Sequence, residues 1–264
     1  MQLSNIVILN YHKISSKTDI GLTARHPLDF KNDLKLFREL GFQTITFADL
    51  LNENSELPAK PLIITFDDGY KSVVETALPL MQSFAFKGVV YMPTNYVGKT
   101  NDWDVQLGRK KFQHLTADDL KRLVGAGFEI GSHGASHRSF KSMSVEQCVA
   151  ELQISKKTIE QIVQRPVLSV SYPFGQFDWQ ILKLSHQVGY RFGVSSIYYK
   201  NVRLLDGLSP LALRRFNVYR TDSAPVIKEK LKGNFNSFYA YRDWLIQRGS
   251  NATILWQRLF KQRN

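Results

Sequence analysis

Two adjacent carboxylates at the end of an apolar run constrain this chain more than any other feature. Pro61-Leu62-Ile63-Ile64 reads as a buried strand, and Thr65-Phe66-Asp67-Asp68-Gly69-Tyr70 follows it directly. Successive side chains on a strand point to opposite faces. Neighbouring aspartates on such a segment cannot both enter an apolar interior without a large cost. They must meet a metal, a cation, a substrate or water.

The surrounding pattern says what kind of fold presents them. Short apolar runs at residues 6–9, 44–47, 87–91, 128–131, 167–170, 190–195 and 214–219 read as further strands. Between them, helical spacing or capping signals mark residues 27–40, 70–84, 144–164 and 178–188. A shorter helix starts at Thr116, with Asp119 three residues on, and ends in the glycines at 125–127. Residues 93–114 form a long polar loop carrying Trp103. Strands and helices alternate throughout. The expected fold is α/β, a distorted (β/α) barrel of about seven parallel strands. The expected division is a barrel domain over residues 1–224 and a basic, aromatic-rich extension over 225–264.

Composition narrows the classes. With 264 residues, 43% hydrophobic and 22% charged, the chain can bury a sizeable core. A single cysteine, Cys148, excludes an internal disulfide. No apolar stretch is long enough to span a bilayer, and residues 1–11 do not read as a secretory leader. The expected location is cytoplasmic or membrane-peripheral. The net charge of +12 favours an acidic partner, or else serves solubility alone. Residues 225–264 hold eight basic and two acidic side chains, interleaved with seven aromatics such as Trp244 and Trp256. Such a tail either contacts a membrane surface or anionic glycan, or packs its aromatics on the barrel.

Every chemistry-bearing candidate follows a predicted strand. Asp67 and Asp68 end one, His133 and His137 follow another, Tyr172-Pro173-Phe174-Gly175 a third, and His12 the first. Parallel α/β folds gather these strand ends on one face, which carries the active site. Two histidines and one carboxylate suit a divalent metal such as zinc, with positions left open. Of two neighbouring carboxylates, only one can bind such a metal directly. The other is left to accept a proton, a division that suits metal-assisted hydrolysis.

These motifs resemble those of the polysaccharide deacetylases of carbohydrate esterase family 4. Thr65-Phe66-Asp67-Asp68-Gly69 is similar to the family's first motif. Gly131-Ser132-His133-Gly134-Ala135-Ser136-His137 is similar to its second, and Tyr172-Pro173-Phe174-Gly175 to its third. The resemblance covers roughly residues 5–220. It implies that Asp67 is the catalytic base and that Asp68, His133 and His137 bind a divalent ion, most simply Zn2+. It implies that Tyr172, Pro173 and Phe174 line the substrate groove, with the Phe174 backbone N–H stabilising the oxyanion. The implied reaction removes N-acetyl groups from N-acetylhexosamine units of an exopolysaccharide or other bacterial glycan or glycolipid. No nucleic-acid partner is expected, and the basic tail is the candidate for peripheral membrane contact.

Three positions depart from the family pattern. Gly134 stands where the family has Ser or Thr. Ser171 stands where an arginine often braces the base. The late leucine-x-histidine that supplies the acid is absent; Leu213-Arg214-Arg215-Phe216 stands near its place. The circularly permuted poly-N-acetylglucosamine deacetylase branch carries that histidine on an N-terminal strand, and Asn10-Tyr11-His12-Lys13 resembles it. His12 is accordingly the expected acid. Arg215 either braces the base or is a surface ion-pair residue, and Trp103 is a further candidate support. Hydrolysis of another small amide and non-catalytic glycan binding are the alternatives. The intact Asp67, Asp68, His133 and His137 weigh against the latter.

Overall fold

The computed structural model describes residues 6–17, 22–52, 56–101, 112–196 and 209–233. Its strands are β1 (Val7–Tyr11), β2 (Lys13–Ile14), β3 (Ala24–Arg25), β4 (Gln43–Thr44), β5 (Pro61–Phe66), β6 (Val89–Met92), β7 (Glu129–Ser132), β8 (Ser169–Ser171), β9 (Phe192–Ser195), β10 (Leu213–Arg214) and β11 (Phe216–Asn217). Its α-helices are α1 (Pro27–Glu39), α2 (Phe47–Leu50), α3 (Leu78–Ser83), α4 (Ala117–Gly125), α5 (Val145–Val163), α6 (Trp179–Val188) and α7 (Ala224–Leu231). The main sheet runs β10-β9-β8-β7-β6-β5-β1-β11, every pairing parallel.

That sheet closes on itself. Only Arg215 separates β10 from β11, so one short segment forms both ends of the strand order. Its first half pairs with β9, Leu213 opposite Val194, and its second with β1, Leu9 opposite Phe216. Eight strands thus occupy seven positions around a distorted (β/α) barrel.

The period of two along each strand sorts the side chains. Leu9, Tyr11, Leu62, Ile64, Phe66, Val90 and Met92 point outward and pack with the helices in the larger core. Ile8, Ile63, Val89, Tyr91, Phe192 and Val194 belong to a second, inner core. Phe47 of α2 plugs the lower end of that inner core, its ring 5.0 Å from that of Phe192. Continuing the same alternation upward brings Asn10, Thr65, Asp67, Ser171 and Arg215 together in the upper lumen, where they bond to one another.

The helix ends follow their caps. Thr116 and Ser144 start α4 and α5 with reciprocal capping boxes, and Asp178 caps α6, which Gly189 closes in the left-handed conformation. One expectation needs correction: residues 70–84 do not form one regular helix. Residues Val73–Ala77 make a wide π turn before α3 begins. Pro79 lacks an N–H and its ring would crowd the carbonyl four residues back, so the preceding turn opens. α7 packs on α1 and β1, with Ile227 and Lys230 fully buried. The rest of the basic tail lies outside the described residues, as does Trp103. Among the described residues, no helix is long and apolar enough to cross a membrane.

Candidate active site

Asp67 and Asp68 leave β5 by different routes. Asp67 continues the strand, its N–H bonded to the Tyr11 carbonyl at 3.0 Å. Asp68 turns sharply, with φ of 68°, and Gly69 follows at 58°. A non-glycine residue in this region is strained and persists only where its surroundings enforce it. Any side chain at Gly69 would strike the Met92 sulfur, so the turn also needs glycine for space.

The turn brings the Asp68 carboxylate to two imidazoles. Its Oδ1 lies 3.1 Å from His137 Nε2 and 3.5 Å from His133 Nε2. One ligand atom from each residue falls within 4.8 Å of the others, and all three residues are buried. His133 Nδ1 sits 2.7 Å from the Ser171 carbonyl. A carbonyl only accepts, so Nδ1 carries the proton and Nε2 presents its lone pair to the cluster. Burial pushes the Asp68 carboxyl up, but the two histidines outweigh it and hold the group well below the usual range. Two imidazole nitrogens and one carboxylate oxygen converging in this way form a donor set that fits zinc.

Asp67 is held by other residues. Arg215 grips both its carboxylate oxygens, Nη1 to Oδ1 at 2.8 Å and Nη2 to Oδ2. The same guanidinium donates to Asn10 Oδ1 at 3.0 Å and Ser171 Oγ at 2.7 Å. Asn10 Nδ2 reaches Asp67 Oδ2 at 3.3 Å. Arg215 is 2% exposed, which excludes the surface ion-pair alternative. Burial raises the Asp67 pKa, yet the Arg215 charge, the His133 charge and the Arg215 hydrogen bonds together outweigh it, and the net shift is downward. Asp67 Oδ2 stands 3.9 Å from His133 Nε2, beside the ligand cluster.

The remaining candidates divide. His12 follows β1, whose register pairs Tyr11 with Phe66, so His12 and Asp67 are the next step on adjacent strands. It is half-buried, and its Nδ1 has no hydrogen-bond partner among the described residues. Phe174, half-buried at φ of 58°, sets its ring edge-on to His137 at 5.0 Å. Tyr172 requires correction as a groove-lining residue. The Tyr172 side chain points outward into the core, packs on Phe177 and donates to the Leu211 carbonyl at 2.9 Å. Pro173 is buried.

One contributor, Glu151, carries no sequence signal of its own. Glu151 of α5 accepts the N–H groups of Ala135 and Ser136 at 2.7 and 2.9 Å, fixing the loop between the two histidines. Gly134 in that loop has φ of 73°, and a side chain there would press on Phe140 and Glu151. This explains why glycine stands at that position. Ser171, in the place of the expected arginine, receives Arg215 from across the barrel instead.

A family model described as polysaccharide deacetylase matches residues 54–193. The chain belongs to the polysaccharide deacetylase family. YxkH of Bacillus subtilis (strain 168), assigned to the same family, is 28% identical over 196 residues. That alignment takes in 73% of this chain and 65% of YxkH, so the chain spans just under two thirds of that relative. A poly-β-1,6-N-acetyl-D-glucosamine N-deacetylase of Staphylococcus aureus is 20% identical over 216 residues, 73% of this chain and 72% of the relative. Among solved structures, the Streptococcus pyogenes deacetylase PplD in complex with acetate superposes with a TM-score of 0.71. It is 19% identical and covers 86% of this chain and 97% of its own, a likeness of fold. As a polysaccharide deacetylase barrel, the chain carries its Asp-His-His cluster and its Asp67–Arg215 pair at the carboxyl ends of the strands.

Proposed function

We propose that this chain is a metal-dependent hydrolase that removes N-acetyl groups from N-acetylhexosamine units of a glycan or glycolipid. The observation that carries the reading is the division of the aspartates. Asp68 faces two histidines, while Asp67 lies beside them and is kept ionised by Arg215.

In this reading Asp68, His133 and His137 hold a divalent ion, most simply zinc. When bound, that ion polarises the amide carbonyl and acidifies water. Asp67 accepts the proton of the attacking water as the water oxygen bonds to the acetyl carbon. Arg215 and Asn10 fix the carboxylate so that its basic oxygen stays aimed at the reacting centre. The Phe174 backbone N–H stabilises the oxygen that gains charge. The C–N bond then breaks, His12 delivers a proton to the leaving amine, and acetate departs.

The name of the Staphylococcus aureus relative makes β-1,6-linked N-acetylglucosamine the first linkage to test. The basic tail over 225–264 is the proposed contact with a membrane or anionic glycan. Purified protein with added zinc should release acetate from such oligomers, stop on treatment with a chelator, and recover when zinc is returned. A zinc-loaded protein that releases no acetate from β-1,6-linked, β-1,4-linked or lipid-linked N-acetylhexosamines would overturn the reading.

A further inference from the structure

His114 lies outside every motif that points to this site. It is 1% exposed, and its Nδ1 sits 2.7 Å from the backbone carbonyl of Asp68. A carbonyl accepts only, so the proton is on Nδ1. Nε2 is buried without a hydrogen-bond partner among the described residues, which agrees with a ring whose work is done at the other nitrogen.

The ring is fixed from several sides. It stacks on Tyr70 with centroids 5.0 Å apart and planes at 19°, and leans on Tyr96 at 5.4 Å. Its backbone lies antiparallel to the turn after Asp68. Leu115 N–H bonds the Gly69 carbonyl and Lys71 N–H bonds the Gln113 carbonyl, both at 2.8 Å. The one residue of this turn that is strained without being glycine is Asp68, at φ of 68°. His114 bonds the carbonyl that closes that strained unit.

Resting on the metal-site reading above, we propose that His114 is a positioning residue for Asp68. Its Nδ1–H, clamped on the Asp68 carbonyl, holds the left-handed turn that presents the carboxylate to His133 and His137. Remove the donor and the turn can relax toward an ordinary backbone conformation, carrying the carboxylate away from the imidazoles.

The test separates the N–H from the ring. His114→Phe keeps the bulk and the stacking on Tyr70 but removes the donor. His114→Asn gives up the ring but offers an amide N–H near the place of Nδ1. Zinc affinity is measured by competition with a chromophoric chelator, beside Asp68→Asn as the ligand-loss control. His114→Phe should bind zinc roughly 10- to 100-fold more weakly, the usual scale for groups that orient a metal ligand, and His114→Asn should recover most of that loss. Phe binding as tightly as the native residue, or Asn binding as weakly as Phe, would overturn the positioning role and leave the metal site standing. Native protein that binds no zinc would take down both. Should His114→Phe not fold, 15N NMR of the native imidazole decides: a proton on Nδ1 supports the role, and a proton on Nε2 overturns it.

Discussion

The two ends of the barrel lumen are built from the same strands and behave as opposites. At the lower end Ile8, Ile63, Val89, Phe192 and Phe47 make an apolar plug. At the upper end Asn10, Thr65, Asp67, Ser171 and Arg215 make a hydrogen-bonded ring. One or two residues along each strand separate them. The lower end buries apolar surface and keeps the strands together. The upper end spends stability on buried charges, which a barrel needs only if they act. Tyr91 stands between, its ring under the Arg215 guanidinium at 5.6 Å.

Removing one partner from each end tests whether the halves are separable. Arg215→Met should have the largest effect, because it strands the Asp67 carboxylate in a buried site and so costs activity as well as stability. Breaking a buried pair in this way costs about 3–5 kcal/mol. Its pH signature also reverses. In the native protein the depressed Asp67 pKa contributes stability above the ordinary carboxylate range, lost as pH falls through the folded value. Without Arg215, burial dominates, the folded pKa rises, and stability falls as pH rises instead. Chemical denaturation of metal-free protein across pH 3–8 reads both effects, and the acid limb of acetate release should move to higher pH.

Phe47→Ala comes next. It opens a cavity in the plug, where Phe47 is fully buried, and should cost about 3–5 kcal/mol. Unlike Arg215→Met, it should leave zinc affinity unchanged. Loss of zinc binding in this variant would show that the two ends are coupled.

Glu129→Gln is the mildest and depends on pH. Burial pushes the Glu129 carboxyl up to about 7, although it accepts the Ala48 N–H and the Ser169 hydroxyl. A raised carboxyl pKa means that its stabilising effect is full below about 4.5 and is lost as pH rises through about 7. Through this group alone the native protein should therefore lose up to about 3 kcal/mol over that window, a loss that the neutral variant lacks. Asp33, held near 6, adds a slope of its own, so the difference between the two proteins isolates Glu129. Identical pH profiles would contradict the assignment.

What could be read from the chain follows from range. The alternation of strands and helices, the caps at Thr116, Ser144 and Asp178, and the residues of the Asp-His-His cluster all rest on signals a few residues apart. Arg215 meets Asp67 across 148 residues, and no local pattern distinguishes it from Arg214 beside it. The side to which each one points depends on the single-residue break between β10 and β11. Likewise α2 is too short for a helical period, though the Thr46–Asp49 capping box marks its start. Tyr172 departs from its expected place because its motif lies at the site while its side chain, one step past Ser171, points to the opposite face of the sheet.

The division of labour between Asp67 and Asp68 is tested most directly by comparing two asparagine variants for bound zinc and acetate release. Asp67→Asn should keep one zinc ion per chain at native affinity while acetate release falls by roughly 10²- to 10⁴-fold, the range of a lost general base. Asp68→Asn should lose the zinc itself. An Asp67→Asn protein that keeps full activity, or an Asp68→Asn protein that keeps its zinc, would contradict the assignment of base and ligand.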